Sequence, residues 1–331
     1  MAAALNEKDY LDQVHALWRK AWPKGAAREP QYLHGEVALT EYLRAWAKKQ
    51  PEHPAVIFYG HTLTYADLDK QSDRFAALLM SKGVKKGDRV AVFMPNCPQF
   101  HIVFFGILKL GAVHVPVSPL SRAFELAYEL NDTDAEVIVA QDQLIETVNQ
   151  VKGETKLREI IVTSLADVIP AAPTIPVPDS LRAPRIAIPG ATDLLPALAA
   201  MGDVKPLPPA ALDDVAALNY TGGTTGMPKG CVHTQRDMVY TAAANYGTGL
   251  TSNENSVFLS FFPEFWIAGE NLGLIFPLFS GATLVLLSRW DAVGVLAAIE
   301  KYKVTIMAMP VDGAVEMMDH PRFKEFDLSS L

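Results

Sequence analysis

The sequence predicts an α/β protein built around a largely parallel sheet, and three observations predict it. Strand-like apolar runs alternate with helical segments of ten or more residues along the 331-residue chain, the signature of βαβ units. One apolar strand runs directly into a glycine-rich turn, "NYTGGTTGMPKG", which a helical segment follows; loop and helix N–H groups in that order can converge on an anion. The composition, 50% apolar and 20% charged, permits a sizeable core and excludes disordered and fibrous classes.

Residues 1–36 read as an N-terminal helical extension. The stretch 37–169 reads as a first α/β subdomain. In it "VALTEYLRAWAKKQP" has helical spacing and stops at Pro51, "AVIFYG" is a short buried strand, and "HTLTYADLDKQSDRFAALLMSKGV" is a strand end leading into a helix that closes at Gly83. The alternation continues through the strand "DRVAVFMP", the helix "PQFHIVFFGILKLG" with its Gly111 stop, the strand "AVHVPVSP", the helix "RAFELAYELNDT" and the strand "AEVIVAQ". Prolines recur every few residues in 170–209, which reads as an excursion or linker between two subdomains.

The second α/β subdomain, 210–331, starts with the strand "DDVAALNYTGG" and the glycine-rich turn. Then come the helix "QRDMVYTAAANYG", the strand "SVFLSFFP", the helix "GENLGLIFPLFSG", the strand "ATLVLL", the helix "DAVGVLAAIEKYKV" and the strand "TIMAMP". It stops at "HPRFKEFDLSSL" with no cap or polar tail, so the chain is expected to be a fragment, incomplete at its C-terminus. Met307 and Met309 read as core, and His101 and His114 as fillers of α/β layers.

A net charge of −8 disfavours nucleic acid as the main partner, because phosphate-backbone binding needs a basic face, but it leaves room for a local basic pocket. Cys97 and Cys231 are the only cysteines and have no CxxC-type partner, so neither a zinc site nor a disulfide framework is indicated, and no metal ligands are assigned. The N-terminus carries charges where a signal core would be apolar, and no run of 18 apolar residues occurs, so no transmembrane segment and a cytoplasmic location are expected. A homodimer stays open as the oligomeric state.

The glycine-rich turn is neither of the two common phosphate loops. A Walker A loop needs G-x-x-x-x-G-K-[ST], whereas Lys229 lies between Pro228 and Gly230; Gly222, Gly223, Gly226 and Gly230 do not supply the dinucleotide-binding G-x-G-x-x-G. The string resembles the phosphate-binding signature of the adenylate-forming superfamily, an aromatic followed by T-S-G-[ST]-T-G-x-P-K-G, here Tyr220 and then residues 221–230. One position departs: the usual serine is Gly222. "LTYADLD" (63–69), "LKLGAVHVPVSP" (108–119) and "PLFSGATLVLL" (277–287) resemble further elements of that family, in the right order.

The resemblance implies the large N-terminal domain of an acyl-CoA synthetase, with sheets and helices in αβαβα layers and the small C-terminal domain absent. It implies ATP, magnesium and coenzyme A as cofactors and a small carboxylic acid as substrate. Thr221, Gly222, Gly223, Thr224, Thr225, Gly226 and Lys229 are the expected ATP phosphate contacts. "FFPEFWIAGE" is similar to the element that borders the acyl pocket, with Trp266, Glu264 and Gly269 in its positions, and Arg289 stands where relatives often carry a base near phosphate or coenzyme A. His233 is typical of the family and is read as structural.

A bulky indole at 266 and a carboxyl at 264 suit a small, branched and partly polar acid. Within the acyl-CoA ligases the chain is accordingly similar to those acting on hydroxy acids such as 2-hydroxyisobutyrate. The family's adenine-binding strings, its hinge and its catalytic lysine have no match in this sequence, so no catalytic residue is assigned and the chain by itself is expected to be inactive. The alternatives are a non-catalytic nucleotide-binding protein of the same fold and an adenylation domain of a peptide synthetase.

Overall fold

A computed structural model describes residues 6–222, 226–248 and 252–331. The chain opens with α1 (Glu7–Ala21), which buries none of its residues, and α2 (Leu39–Lys49). A hairpin of β1 (Pro54–Phe58) and β2 (His61–Thr64) leads into α3 (Tyr65–Ser81), whose start is fixed by a capping box between Thr64 and Asp67. Next come β3 (Arg89–Phe93), α4 (Pro98–Leu110), β4 (Val113–Pro116), α5 (Ala123–Thr133), β5 (Val137–Gln141), α6 (Ile145–Val151) and β6 (Glu159–Thr163). As expected, α4 ends at Gly111, whose φ of 72° is the left-handed cap that glycine adopts without steric cost.

The stretch 170–209, expected to be a linker, itself contains β7 (Thr192–Asp193) and α7 (Leu194–Ala200), and after it come β8 (Val215–Thr221), β9 (Lys229–Thr234) and α8 (Gln235–Thr248). Then follow β10 (Val257–Ser260), α9 (Ile267–Gly269), a wide π-helical turn (Glu270–Ile275) and α10 (Phe276–Ser280). The last elements are β11 (Thr283–Leu286), α11 (Ala292–Tyr302), β12 (Ile306–Met307) and α12 (Val311–Asp319), the last of which the sequence pattern does not reveal.

The strands form two sheets, in the orders β7-β6-β5-β3-β4-β8-β9 and β12-β10-β11-β1-β2. All pairings are parallel except the hairpins β1-β2 and β8-β9. Alternation along the central strands sets the layers. In β3 and β5, Val90, Val92, Val137 and Val139 face a core shared with the second sheet, whereas Ala91, Phe93, Ile138 and Ala140 face a second core under α5 and α6. Helix α4 lies in the shared core and is buried on every side, which suits its almost uninterrupted apolar sequence. Its one lysine, Lys109, is buried with its ammonium 2.5 Å from Asp69 and 2.9 Å from Asp73 of α3.

Two expectations need correction. Each sheet draws strands from both sides of 170–209, so the two α/β units interleave in space instead of following one another. The glycine-rich turn, moreover, does not open a helix: it joins the antiparallel strands β8 and β9, and α8 starts only at Gln235. Residues 229–234 are committed to antiparallel pairing with β8, so no helix starts at the loop.

The proline-rich stretch is a strap tied to both sheets. Thr174 N–H donates to the Tyr59 carbonyl at 3.1 Å, just past β1, and the Thr174 hydroxyl meets the Tyr302 hydroxyl. At the other end, Gln143 donates to the Pro184 carbonyl at 3.0 Å and Ile186 N–H donates to Asp142 at 2.8 Å, just past β5. Between these ties Ile175, Val177 and Leu181 are buried in the shared core.

Candidate active site

Two features lie near the carboxyl ends of the parallel strands. The first is a cleft of 710 Å³. In the seven-stranded sheet β3 and β5 are neighbours, but β3 connects onward to β4 on one side and β5 to β6 on the other, so a crevice opens where the connections part. Pro95 and Gln141 line it there, Leu165 follows β6, and Phe261, Arg289 and Pro310 follow β10, β11 and β12 of the other sheet. The two sheets thus turn the ends of their strands toward one space.

Asn96 holds that convergence together. Its amide donates to the Phe262 carbonyl at 2.8 Å and the Leu287 carbonyl at 3.1 Å, and its oxygen accepts the Glu264 N–H at 2.8 Å. One buried side chain after β3 therefore pins the segments after β10 and β11. Trp266 and Arg289, both expected at the site, share this cleft, and the Trp266 side is half-exposed. Gly269 is a packing requirement: a β-carbon there would lie 2.0 Å from the Pro263 carbonyl oxygen, which forces the turn that presents Trp266 to keep glycine.

Glu264 does not join them. It is fully buried, turned away from the cleft, and accepts from His101 Nε2 of α4 at 2.8 Å. His101 is therefore more than a filler, whereas His114, fully buried between Phe100 and Phe104, fits that expectation; burial pushes its pKa down to about 3, so it stays neutral. Beside Glu264 lies Glu270, also fully buried, accepting from the Asn219 amide at 2.9 Å. Burial, with a smaller contribution from the neighbouring Glu264 charge, pushes Glu270 up to about 7 against the opposing Asn219 hydrogen bond.

The second feature is the β8-β9 hairpin. Of the expected phosphate contacts, Thr221, Gly222, Gly226 and Lys229 stand exposed at its open end; Gly223, Thr224 and Thr225 lie outside the described residues. Its base is anchored on α5: Tyr128 donates to the Pro228 carbonyl at 3.0 Å, Tyr220 donates to Asp132, and the two rings meet edge to face. Gly230 packs under the Tyr220 ring, where a β-carbon would approach within 3.3 Å. Asn219, in β8 just before this hairpin end, connects it through Glu270 to the Trp266 segment.

The sequence reading missed Asn96, Asn219, Glu270 and the strap. Asn96 and Asn219 sit where strands end, a placement that offers polar side chains to neighbouring backbone, but nothing in the sequence names their partners, 166 or more residues away from Asn96 and 51 residues from Asn219. Among the described residues no group of three or more His, Cys, Asp or Glu is arranged to hold a metal ion, and no helix is long and apolar enough to cross a membrane.

The family model described as AMP-binding enzyme matches residues 43–331. The long-chain-fatty-acid–CoA ligase of Bacillus subtilis (strain 168) is 30% identical over 301 residues, covering 88% of this chain and 54% of that protein. The one from Salmonella typhimurium is 30% identical over 330 residues, covering 95% and 58%. The chain thus spans about half the length of these curated relatives. Among solved structures, the inhibitor-bound N-terminal domain of FACL13 from Mycobacterium tuberculosis matches with a TM-score of 0.75 and 26% identity, covering 89% of this chain and 68% of that one. The anthranilate CoA ligase AuaEII in complex with anthranoyl-AMP matches in fold, with a TM-score of 0.78 at 24% identity over 89% of this chain and 54% of that one.

Proposed function

The chain belongs to the AMP-binding enzyme family, and from that premise we propose that it is the nucleotide- and acid-binding part of an ATP-dependent, AMP-forming carboxylic acid–CoA ligase. In that reaction a carboxylate oxygen bonds to the α-phosphorus of ATP, the bond to the β-phosphate oxygen breaks, and pyrophosphate leaves. The thiolate of coenzyme A then takes the acyl carbon and AMP departs. Much of the barrier to the first step lies in positioning and neutralising the triphosphate.

The observation that carries this reading is the buried Asn219–Glu270 hydrogen bond, which joins the threonine- and glycine-rich hairpin to the segment bearing Trp266. That bond supports reading the hairpin and the cleft as parts of one site. Exposed Thr221 and Lys229 offer a hydroxyl and a charge to the β- and γ-phosphates, Gly223, Thr224 and Thr225 complete that loop, and Gly222 and Gly226, with open space at their α-carbons, admit close approach. A magnesium ion would arrive on the phosphates and offset their charge. Arg289 supplies the cation on the cleft side for the acid or for coenzyme A, and a cytoplasmic setting suits the two free thiols.

For the acid, the cleft supports an apolar chain: its walls are mainly aromatic and aliphatic and its volume exceeds what a compact hydroxy acid fills. A second reading, a small branched or hydroxylated acid, is favoured by the bulk of the Trp266 indole in the cleft lining; Glu264, buried against His101, no longer supports it. The test is acid-dependent exchange of pyrophosphate into ATP by the whole protein across acids of graded length. Exchange with one class of acid, and at least a tenfold loss in Lys229→Ala, is expected. Binding of ATP without exchange for any acid would replace the ligase by a nucleotide-binding protein of the same fold.

A further inference from the structure

We propose that the proline-rich strap is the specificity wall of the cleft, and that Leu181 sets how long an apolar chain, headed by a carboxylate near Arg289, the cleft accepts. The inference rests on the acid-binding reading above and names the segment that governs it. Apart from positions just past the strands, the cleft is lined by Ser180, Leu181 and Ala183, all from the strap. A short 3-10 turn, Asp179–Arg182, aims Leu181 inward, where it is 7% exposed, and leaves Ala183 half-buried at the margin.

The strap is suited to act as a fixed wall. Its ends are tied to Tyr59 and Tyr302 on one sheet's side and to Asp142 and Gln143 on the other's, so it bridges the two sheets, and Gln143 itself lines the cleft. Arg185 adds ion pairs to Asp167, at 3.0 Å, and to Asp193. Prolines 173, 176, 178 and 184 lie between or beside these ties and restrict the backbone, so the wall is in place before a ligand arrives. The chemistry of the cavity matches: one cation, no carboxylate, and apolar side chains on the strap and opposite it. An apolar chain with one anionic end could be the acyl chain or the pantetheine arm of coenzyme A, and the inference commits to the acyl chain.

Calorimetric titration of the 331-residue chain with butyrate, octanoate and palmitate, and with phosphopantetheine, separates the possibilities without requiring turnover. Leu181→Trp is expected to weaken palmitate binding at least tenfold while butyrate stays within twofold, and Leu181→Ala to leave palmitate binding undiminished. Ala183→Phe, at the half-buried margin, repeats the test should the larger substitution at 181 fail to fold, with the thermal midpoint as the check. Equal losses at all chain lengths, no loss, or a change confined to phosphopantetheine overturn the inference and leave the ligase reading standing. A wild-type chain that binds ATP but no acid of any length overturns the acid-binding cleft itself.

Discussion

Glu270 is a carboxyl removed from water and held by one amide, and its burial reverses the usual pH behaviour of an acid. With its pKa raised from 4.5 to about 7, the folded state binds more protons than the unfolded one between those values, so stability falls as pH rises through that window and levels off above it. His114 acts with the opposite sign: its pKa is depressed from 6.5 to about 3, so its contribution is present above 6.5 and is lost as pH falls toward 3. Glu270→Gln is therefore expected to unfold at the same temperature as the parent at pH 4 and at a higher one at pH 8, the difference reaching at most on the order of 3 kcal/mol. Glu129, raised to about 7 mainly by burial, leaves part of the slope in the variant. Thermal melts at graded pH check this; identical slopes in parent and variant would mean that the Glu270 carboxyl is charged in the fold.

At the scale of elements, the β8-β9 hairpin depends on α5 for its position. Its open end carries small and hydroxylated residues that bury little apolar surface, so the aromatic residues at its base must hold it. The Tyr128 hydroxyl on the Pro228 carbonyl is one such hold, and a hydrogen bond of this kind contributes about 1 kcal/mol. Tyr128→Phe is accordingly expected to speed hydrogen exchange at the amides of β9 about fivefold while leaving β3 and β5 unchanged. Unchanged exchange in β9 would show that the Tyr128 hydroxyl is not what holds the hairpin. The sequence showed Tyr220 as the aromatic preceding the loop, but not its partner: Asp132 and Tyr128 come from a helix some ninety residues earlier, and helical periodicity records only which face is apolar.

For the whole molecule, the interleaving of the sheets governs cooperativity. Strand β1 pairs with β11, β4 with β8, and α4 is enclosed by side chains from both halves, so neither half can bury its share of the core alone. Residues 1–169, expressed separately, are expected to show no cooperative thermal transition, whereas the complete chain unfolds with both sheets lost together; circular dichroism of the two distinguishes these outcomes. An independently folded 1–169 would restore the end-to-end subdomains that the sequence suggests. Prolines at 170–209 suggest a linker because proline interrupts periodic structure. What the strap ties together depends on distant residues such as Tyr59 and Asp142.

The sequence by itself determined the α/β class, most of the helices and strands, and the phosphate-loop family. Each is written in neighbouring residues: apolar periods of two or 3.6, glycine stops, and one contiguous string from Tyr220 to Gly230. Only the tertiary structure decided that β8 returns as a hairpin, that Glu264 turns inward to His101 while Trp266 and Arg289 share a cleft, and that the strap walls it. The physical reason is range. Propensity and capping act over a few residues, whereas a side chain's face and partner are set by packing between strands far apart in sequence, where covering apolar area and satisfying buried polar groups are decided by the chain as a whole.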